Sequence, residues 1–146
     1  MKAFDLYRQA AEAGNSRAQC NLAFFYYHGI AVNEDDRQAF YWFSEAAKRG
    51  YHRAEFFLGE CYENGCGTAK NINKAVEYYT LAHEGGRSDG SFALAVCYEK
   101  GLGVKADTAK ALELYKEAAR RGHKEADEAI SRLSSKKRFR WPWRRK

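Results

Sequence analysis

Proline is nearly missing from this 146-residue chain; the one copy, Pro142, stands close to the end. Ahead of it no ring fixes φ or removes a backbone donor, so long helices are open to the chain. Long apolar runs are missing too. None approaches the ~20 residues that a membrane-crossing helix needs. Residues 1–14 carry Lys2, Asp5, Arg8 and Glu12, where a secretory leader would be apolar. The four cysteines, Cys20, Cys61, Cys66 and Cys97, form no CxxC, which removes the usual zinc-ribbon and dithiol spacings. A Cys61–Cys66 bridge is the one pairing left open. Without a leader or a regular cysteine pattern, reduced thiols and a cytoplasmic setting are expected.

Catalytic signatures are absent in the same way. His28, His52, His83 and His123 show no H-x3-H spacing, and no metal site is expected from them. His28 and Cys20 are the pair that comes nearest to one. The G-x-G runs at 65–67 and 101–103 lack the preceding strand and third glycine of a dinucleotide loop. No Ser/His/Asp set or carboxylate pair rises above ordinary charged helix faces. The expectation is a chain that is no enzyme and takes no cofactor.

Charge is present but unevenly placed. The net charge is +6, from 25 basic and 19 acidic residues. Seven of the cations lie in residues 135–146, SKKRFRWPWRRK, which hold no acid; the remaining 18 against 19 leave the body at −1. The basicity is a tail.

What fills the body is a repeat of 36 residues. Ala18, Ala54, Gly90 and Ala126 share one position, and Leu22, Leu58, Leu94 and Ile130 another. Tyr26, Tyr62 and Tyr98 recur, as do Gly29, Gly65 and Gly101; Phe43, Tyr79 and Tyr115 follow, then Gly14, Gly50, Gly86 and Gly122. Within a unit, Ala18, Leu22 and Phe25/Tyr26 fall at i, i+4 and i+7/i+8, one stripe of a helix. Ala39, Trp42/Phe43 and Ala46 make a second stripe. Asp35, Asn71 and Asp107 suit the N-cap of that second helix, and cations before Gly50 and Gly122 mark its end. Each unit is therefore a helical hairpin. Full units run 18–53, 54–89 and 90–125, with half units 1–17 and 126–134 and a flexible tail, 135–146. The half units either cap the stack or offer apolar surface to a partner, self-association through residues 2–13 included; capping is the simpler reading.

The order A-x3-L-G-x2-Y-x2-G-x-G-x3-N-x2-K-A-x2-Y-Y-x2-A-x3-G, from Ala54 to Gly86, resembles the Sel-one-like repeat, a branch of the tetratricopeptide superfamily. The third unit matches at Leu94, Tyr98, Gly101, Gly103, Val104, Asp107, Lys110, Ala111, Tyr115, Ala118, Ala119 and Gly122. The first departs, with Ala23 and Ala31 at glycine positions and Gln38 at the lysine. The resemblance covers residues 3–134. It implies an all-α fold, an α-solenoid of antiparallel hairpins wound as a right-handed superhelix, and an adaptor or scaffold role.

The tetratricopeptide likeness also implies where a partner would sit, on a concave face lined by the first helix of each hairpin. By register this face holds Arg17, Cys20, Phe24, Tyr27 and His28 in the first unit. The second contributes Arg53, Phe56, Glu60, Glu63 and Asn64, and the third Asp89, Phe92, Val96, Glu99 and Lys100. Glu125, Glu128 and Arg132 would extend it. Phe56 and Phe92 share one row, Phe24 and Val96 the next, outside the buried stripe. Either they form a groove for a peptide or helix with apolar and basic side chains, or they tuck sideways between hairpins. The tail has its own readings. Lys136, Lys137, Arg138, Arg140, Trp141, Trp143, Arg144 and Arg145 suit an anionic membrane surface or a nucleic acid. A disordered solubilising tail, or one folded back on the acidic groove, remains open. A third reading is a structural module of a longer solenoid.

Overall fold

The computed structural model describes the backbone of residues 3–144 and the side chains of residues 3–135. Among them are eight helices and no strand: α1 (Ala3–Glu12), α2 (Ser16–His28), α3 (Asp36–Lys48), α4 (His52–Asn64), α5 (Ile72–Glu84), α6 (Ser88–Lys100), α7 (Thr108–Arg120) and α8 (Lys124–Arg144). None is long and apolar enough to cross a membrane. The helices pack in chain order, α1 on α2 through to α7 on α8, the pattern of a solenoid in which each unit leans on its neighbours.

The local signals act where the spacing puts them. Asp35, Asn71 and Asp107 each accept a hydrogen bond from the backbone N–H three residues on, at 3.1, 3.1 and 3.0 Å, satisfying one of the free donors of a helix start. Gly29, Gly65 and Gly101 take positive φ, 68°, 75° and 72°, at the ends of α2, α4 and α6. Ala31 adopts the same left-handed region at φ 65° where the later units have Gly67 and Gly103. A Cβ on Gly67 would run into the Asp36 carbonyl oxygen, whereas Ala31 is exposed and bears only the torsional cost.

The core follows the stripes. Leu22, Ala39, Phe43, Ala46, Ala54, Leu58, Ala75, Tyr79, Ala82, Leu94, Ala111, Tyr115 and Ala118 are buried. Cys61 and Cys97 are buried among them as small hydrophobes. Rings fill the spaces between hairpins: Phe43 stacks on Phe57 at 5.1 Å and Tyr62 on Tyr78 at 5.8 Å. At the N-terminal end Phe4 and Tyr7 of α1 meet Phe25 at 6.1 and 5.4 Å. Among the described residues of α8, Ala126, Ala129 and Leu133 are buried. The α8 backbone continues past residue 134 to Arg144; the side chains from Lys136 to Arg145, and every expectation attached to them, lie outside the described side chains.

Candidate functional site

A cavity of about 270 Å³ opens among α4, α6 and the start of α8, walled by Phe56, Phe92, Ala93, Val96, Cys97 and Tyr79 and rimmed by Glu60, Glu63, Asp89, His123 and Glu125. Beside it lies a second cavity of about 250 Å³ that shares Phe92, Val96 and Glu125 and runs on to Glu99, Glu128 and Arg132. Together they form a trough along the second and third units.

Phe56 and Phe92 are half-buried. Each packs against a neighbouring element, Phe56 beside the Tyr79 ring at 6.0 Å and Phe92 flat on the His123 ring at 4.3 Å. Each also keeps a face on the cavity. His123 holds the residue position of Asn15, Tyr51 and Arg87, just ahead of a first helix, and the reading by register passed over it. Its Nδ1 is buried and has no hydrogen-bond partner among the described residues.

The carboxylates divide into two kinds. Glu63 accepts a 2.5 Å hydrogen bond from the Tyr79 hydroxyl, and one repeat later Glu99 accepts a 2.6 Å bond from Tyr115. Glu99 is further clamped by Arg132 at 2.5 and 3.1 Å. That guanidinium hydrogen bond holds the Glu99 carboxyl below its usual range, with Tyr115 acting in the same sense. These two glutamates brace one helix to the next. In the first unit the same positions hold Tyr27 and Phe43, ring against ring at 5.8 Å. Tyr27 has no such brace; it faces Glu60 across the unit boundary and acts to lower that carboxyl, against the larger effect of burial.

Glu60 is of the other kind. Burial raises its carboxyl above the usual range, and the nearby charges of Glu63 and Asp89 push the same way. No cation pairs with it among the described ion pairs, nor with Glu125. Asp89 is engaged by Arg87 at 2.8 Å and receives the Gly90 N–H at 2.8 Å.

The first unit contributes no wall to either cavity. Cys20, expected on the concave face, is fully buried and must be withdrawn. The Arg53 guanidinium lies across α2 with Nη1 3.0 Å from Asn21 Oδ1 and its charge over the rings of Phe24, at 5.0 Å, and Phe57, at 5.5 Å. Register alone put Cys20 on the outer row with Phe56 and Phe92; its short side chain ends beneath Arg53, 3.9 Å from Nη1, while the longer rings of the next two units keep a face on the cavity. Burial raises the Cys20 thiol to about 11. Phe24 and Tyr27 are half-buried in the same aromatic cluster, while Arg17, His28, Asn64 and Lys100 are exposed. All four cysteines are free thiols, and no group of three or more His, Cys, Asp or Glu is placed to hold a metal among the described residues.

The Sel1 repeat model matches residues 1–15, 16–51, 52–86 and 88–123. This chain belongs to the Sel1 repeat family. Sel1-repeat proteins generally mediate protein–protein interactions and are typically non-catalytic scaffolds. Among solved structures, c5321, a protective antigen present in uropathogenic Escherichia coli strains and displaying an SLR fold, is 32% identical with a TM-score of 0.87. It covers 90% of this chain and 28% of its own. A Sel1 repeat protein from Oxalobacter formigenes is 34% identical with a TM-score of 0.83, over 88% of this chain and 51% of its own. Helicobacter pylori cysteine rich protein B is 26% identical with a TM-score of 0.68, over 88% of this chain and 97% of its own. This Sel1-repeat chain thus spans about a quarter and about half of the first two. No curated protein matches it.

Proposed function

We propose that this Sel1-repeat chain is a non-catalytic adaptor whose concave trough captures an extended or helical protein segment bearing basic and apolar side chains. The observation that carries the reading is the pairing, in one cavity, of accessible Phe56 and Phe92 faces with the unneutralised carboxylates of Glu60 and Glu125. A cation entering there would meet ring faces and carboxylates together, each favourable to positive charge. The apolar stem of a lysine or arginine would cover the walls. Glu63 and Glu99, although they border the trough, are held by Tyr79 and Tyr115 and are scaffold more than contact. A reducing, cytoplasmic setting suits the use of Cys20, Cys61 and Cys97 as core residues.

The test is direct binding of labelled peptides that alternate arginine with aromatic residues. Phe92→Ala and Glu60→Lys should each weaken capture at least about tenfold, equivalent to 1.4 kcal/mol, with helical content unchanged by circular dichroism. Capture that survives both substitutions would remove the trough as the site.

A further inference from the structure

We infer that the cationic and aromatic end of this chain, residues 135–146, docks in the trough of a second copy, so that molecules join head to tail. The inference rests on the trough being the capture surface and names its occupant.

The chemistry of the two surfaces is complementary. Residues 135–146 combine seven cations with Phe139, Trp141 and Trp143 and carry no acid, while the rest of the chain has a net charge of −1. The trough offers what such a segment lacks: Glu60 and Glu125 without a cation among the described residues, beside the open faces of Phe56 and Phe92. Guanidinium groups pair well with carboxylates and lie flat on aromatic faces, and Trp rings bury large area against Phe.

Geometry directs the contact to another molecule. Glu125, on the trough rim, sits in the first turn of α8, and the α8 backbone is helical to Arg144. At a rise of 1.5 Å per residue, the backbone of Trp141 lies about 24 Å along the axis from that of Glu125. Residues 141–144, at the far end of this rod, stand away from the Glu60–Glu125 cavity beside its start, and the second cavity follows α8 only as far as Arg132. The same chain therefore presents socket and plug at separated places. Two different surfaces that fit each other make a heterologous contact, which propagates into chains or closes into rings. Such a contact is ionic at its core, so salt weakens it.

Sedimentation velocity on the full chain tests this with two sets of substitutions. The trough set is Glu60→Lys with Glu125→Lys, with Glu60→Gln as a milder form in case the double change unfolds. The tail set is Arg138→Ser, Arg140→Ser, Arg144→Ser and Arg145→Ser. The natural chain should associate with rising concentration at low salt and dissociate in about 0.5 M salt. Each substituted chain alone should associate at least about tenfold more weakly. An equimolar mixture of the two should form a one-to-one pair, because one supplies an intact trough and the other an intact tail. A mixture that stays monomeric while both chains are helical overturns the inference, as does association that persists in the tail-substituted chain.

A labelled peptide of sequence SKKRFRWPWRRK, added to the tail-substituted chain, separates this failure from that of the capture surface. If the peptide binds through Glu60 but the natural chain stays monomeric, the trough stands and self-docking falls. If neither occurs, both fall. Pelleting of a monomeric natural chain with vesicles of about three parts neutral to one part anionic phospholipid would assign the tail to a membrane instead and overturn the inference.

Discussion

Changing Tyr79 to Phe removes a single oxygen and separates the scaffold of the trough from its contact surface. The Tyr79 ring is buried at 1% exposure and its hydroxyl donates 2.5 Å to Glu63. The first unit shows that the bare ring is tolerated, because Phe43 holds the same position in the stack. Tyr79→Phe therefore creates no cavity and costs only the hydrogen bond. A bond to a charged acceptor contributes about 1.5–3 kcal/mol. Glu63 is half-buried and can recover water, which places the loss near the lower end, about 1.5 kcal/mol. For a chain of this size that lowers the melting temperature by roughly 3–6 °C. Urea unfolding followed by circular dichroism should show the midpoint fall with no change of slope. Tyr115→Phe, acting on Glu99, should lose a similar amount, and the two should add to within about 0.5 kcal/mol if the braces are independent. Peptide capture should change less than about twofold, well under 1.4 kcal/mol. A stability loss below about 0.5 kcal/mol, within the range of ordinary surface changes, would refute the brace. A tenfold loss of capture with the fold intact would show Glu63 to be a contact residue after all.

Glu60 and Glu99 should respond to pH in opposite senses. The Glu60 carboxyl is raised by burial, so its contribution is present while it is protonated and is lost as pH rises through its folded pKa. Glu60→Gln should therefore gain on the natural chain between about pH 4 and pH 7, read as the difference in urea midpoint. The Glu99 carboxyl is lowered by Arg132, so its contribution is present above the ordinary carboxylate value and is lost as pH falls through the folded one. Glu99→Gln should cost stability at about pH 7 and progressively less toward about pH 3. Cys20 and Cys97 are buried and burial raises their thiols to about 11. Cys61 is buried with its thiol raised too, so a thiol reagent at neutral pH should reach these three only on unfolding. Partly exposed Cys66, raised to about 12, should react slowly in the folded state; fast labelling of all four would contradict the packing. A Cβ at Gly85 would fall on the His52 ring, so Gly85→Ala should cost about 1–3 kcal/mol of stability in thermal or urea unfolding.

Most of the architecture could be read before any coordinates, because a period of 36 residues repeats every structural decision. The Asp and Asn N-caps, the left-handed glycines and the Ala–Leu–aromatic stripes each act through neighbours within one or two turns. Local chemistry of that range is written directly in the order of residues. The site was only partly legible. Phe56, Phe92 and Glu60 stood out as bulk or charge off the buried stripe, and the trough contains them. Cys20 misled because its short side chain, in the row of Phe56 and Phe92, is covered once Arg53 of the next unit lies across it. His123 went unnoticed because its value lies in stacking on Phe92, a residue 31 positions away.

What the sequence determined by itself was the helices α1 to α7, the hairpin unit and the confinement of excess positive charge to residues 135–146; the length of α8, which runs to Arg144, was not legible. What only the tertiary structure decided was which carboxylates are braced or ion-paired. Glu60, Glu63 and Glu99 look alike in a sequence. Tyr79 claims the second, while Tyr115 and Arg132 claim the third. No cation neutralises Glu60 among the described ion pairs. The reason is physical: a hydrogen bond between residues 16 or 33 apart depends on how helices stack, and stacking is a property of surfaces that only the folded chain brings together.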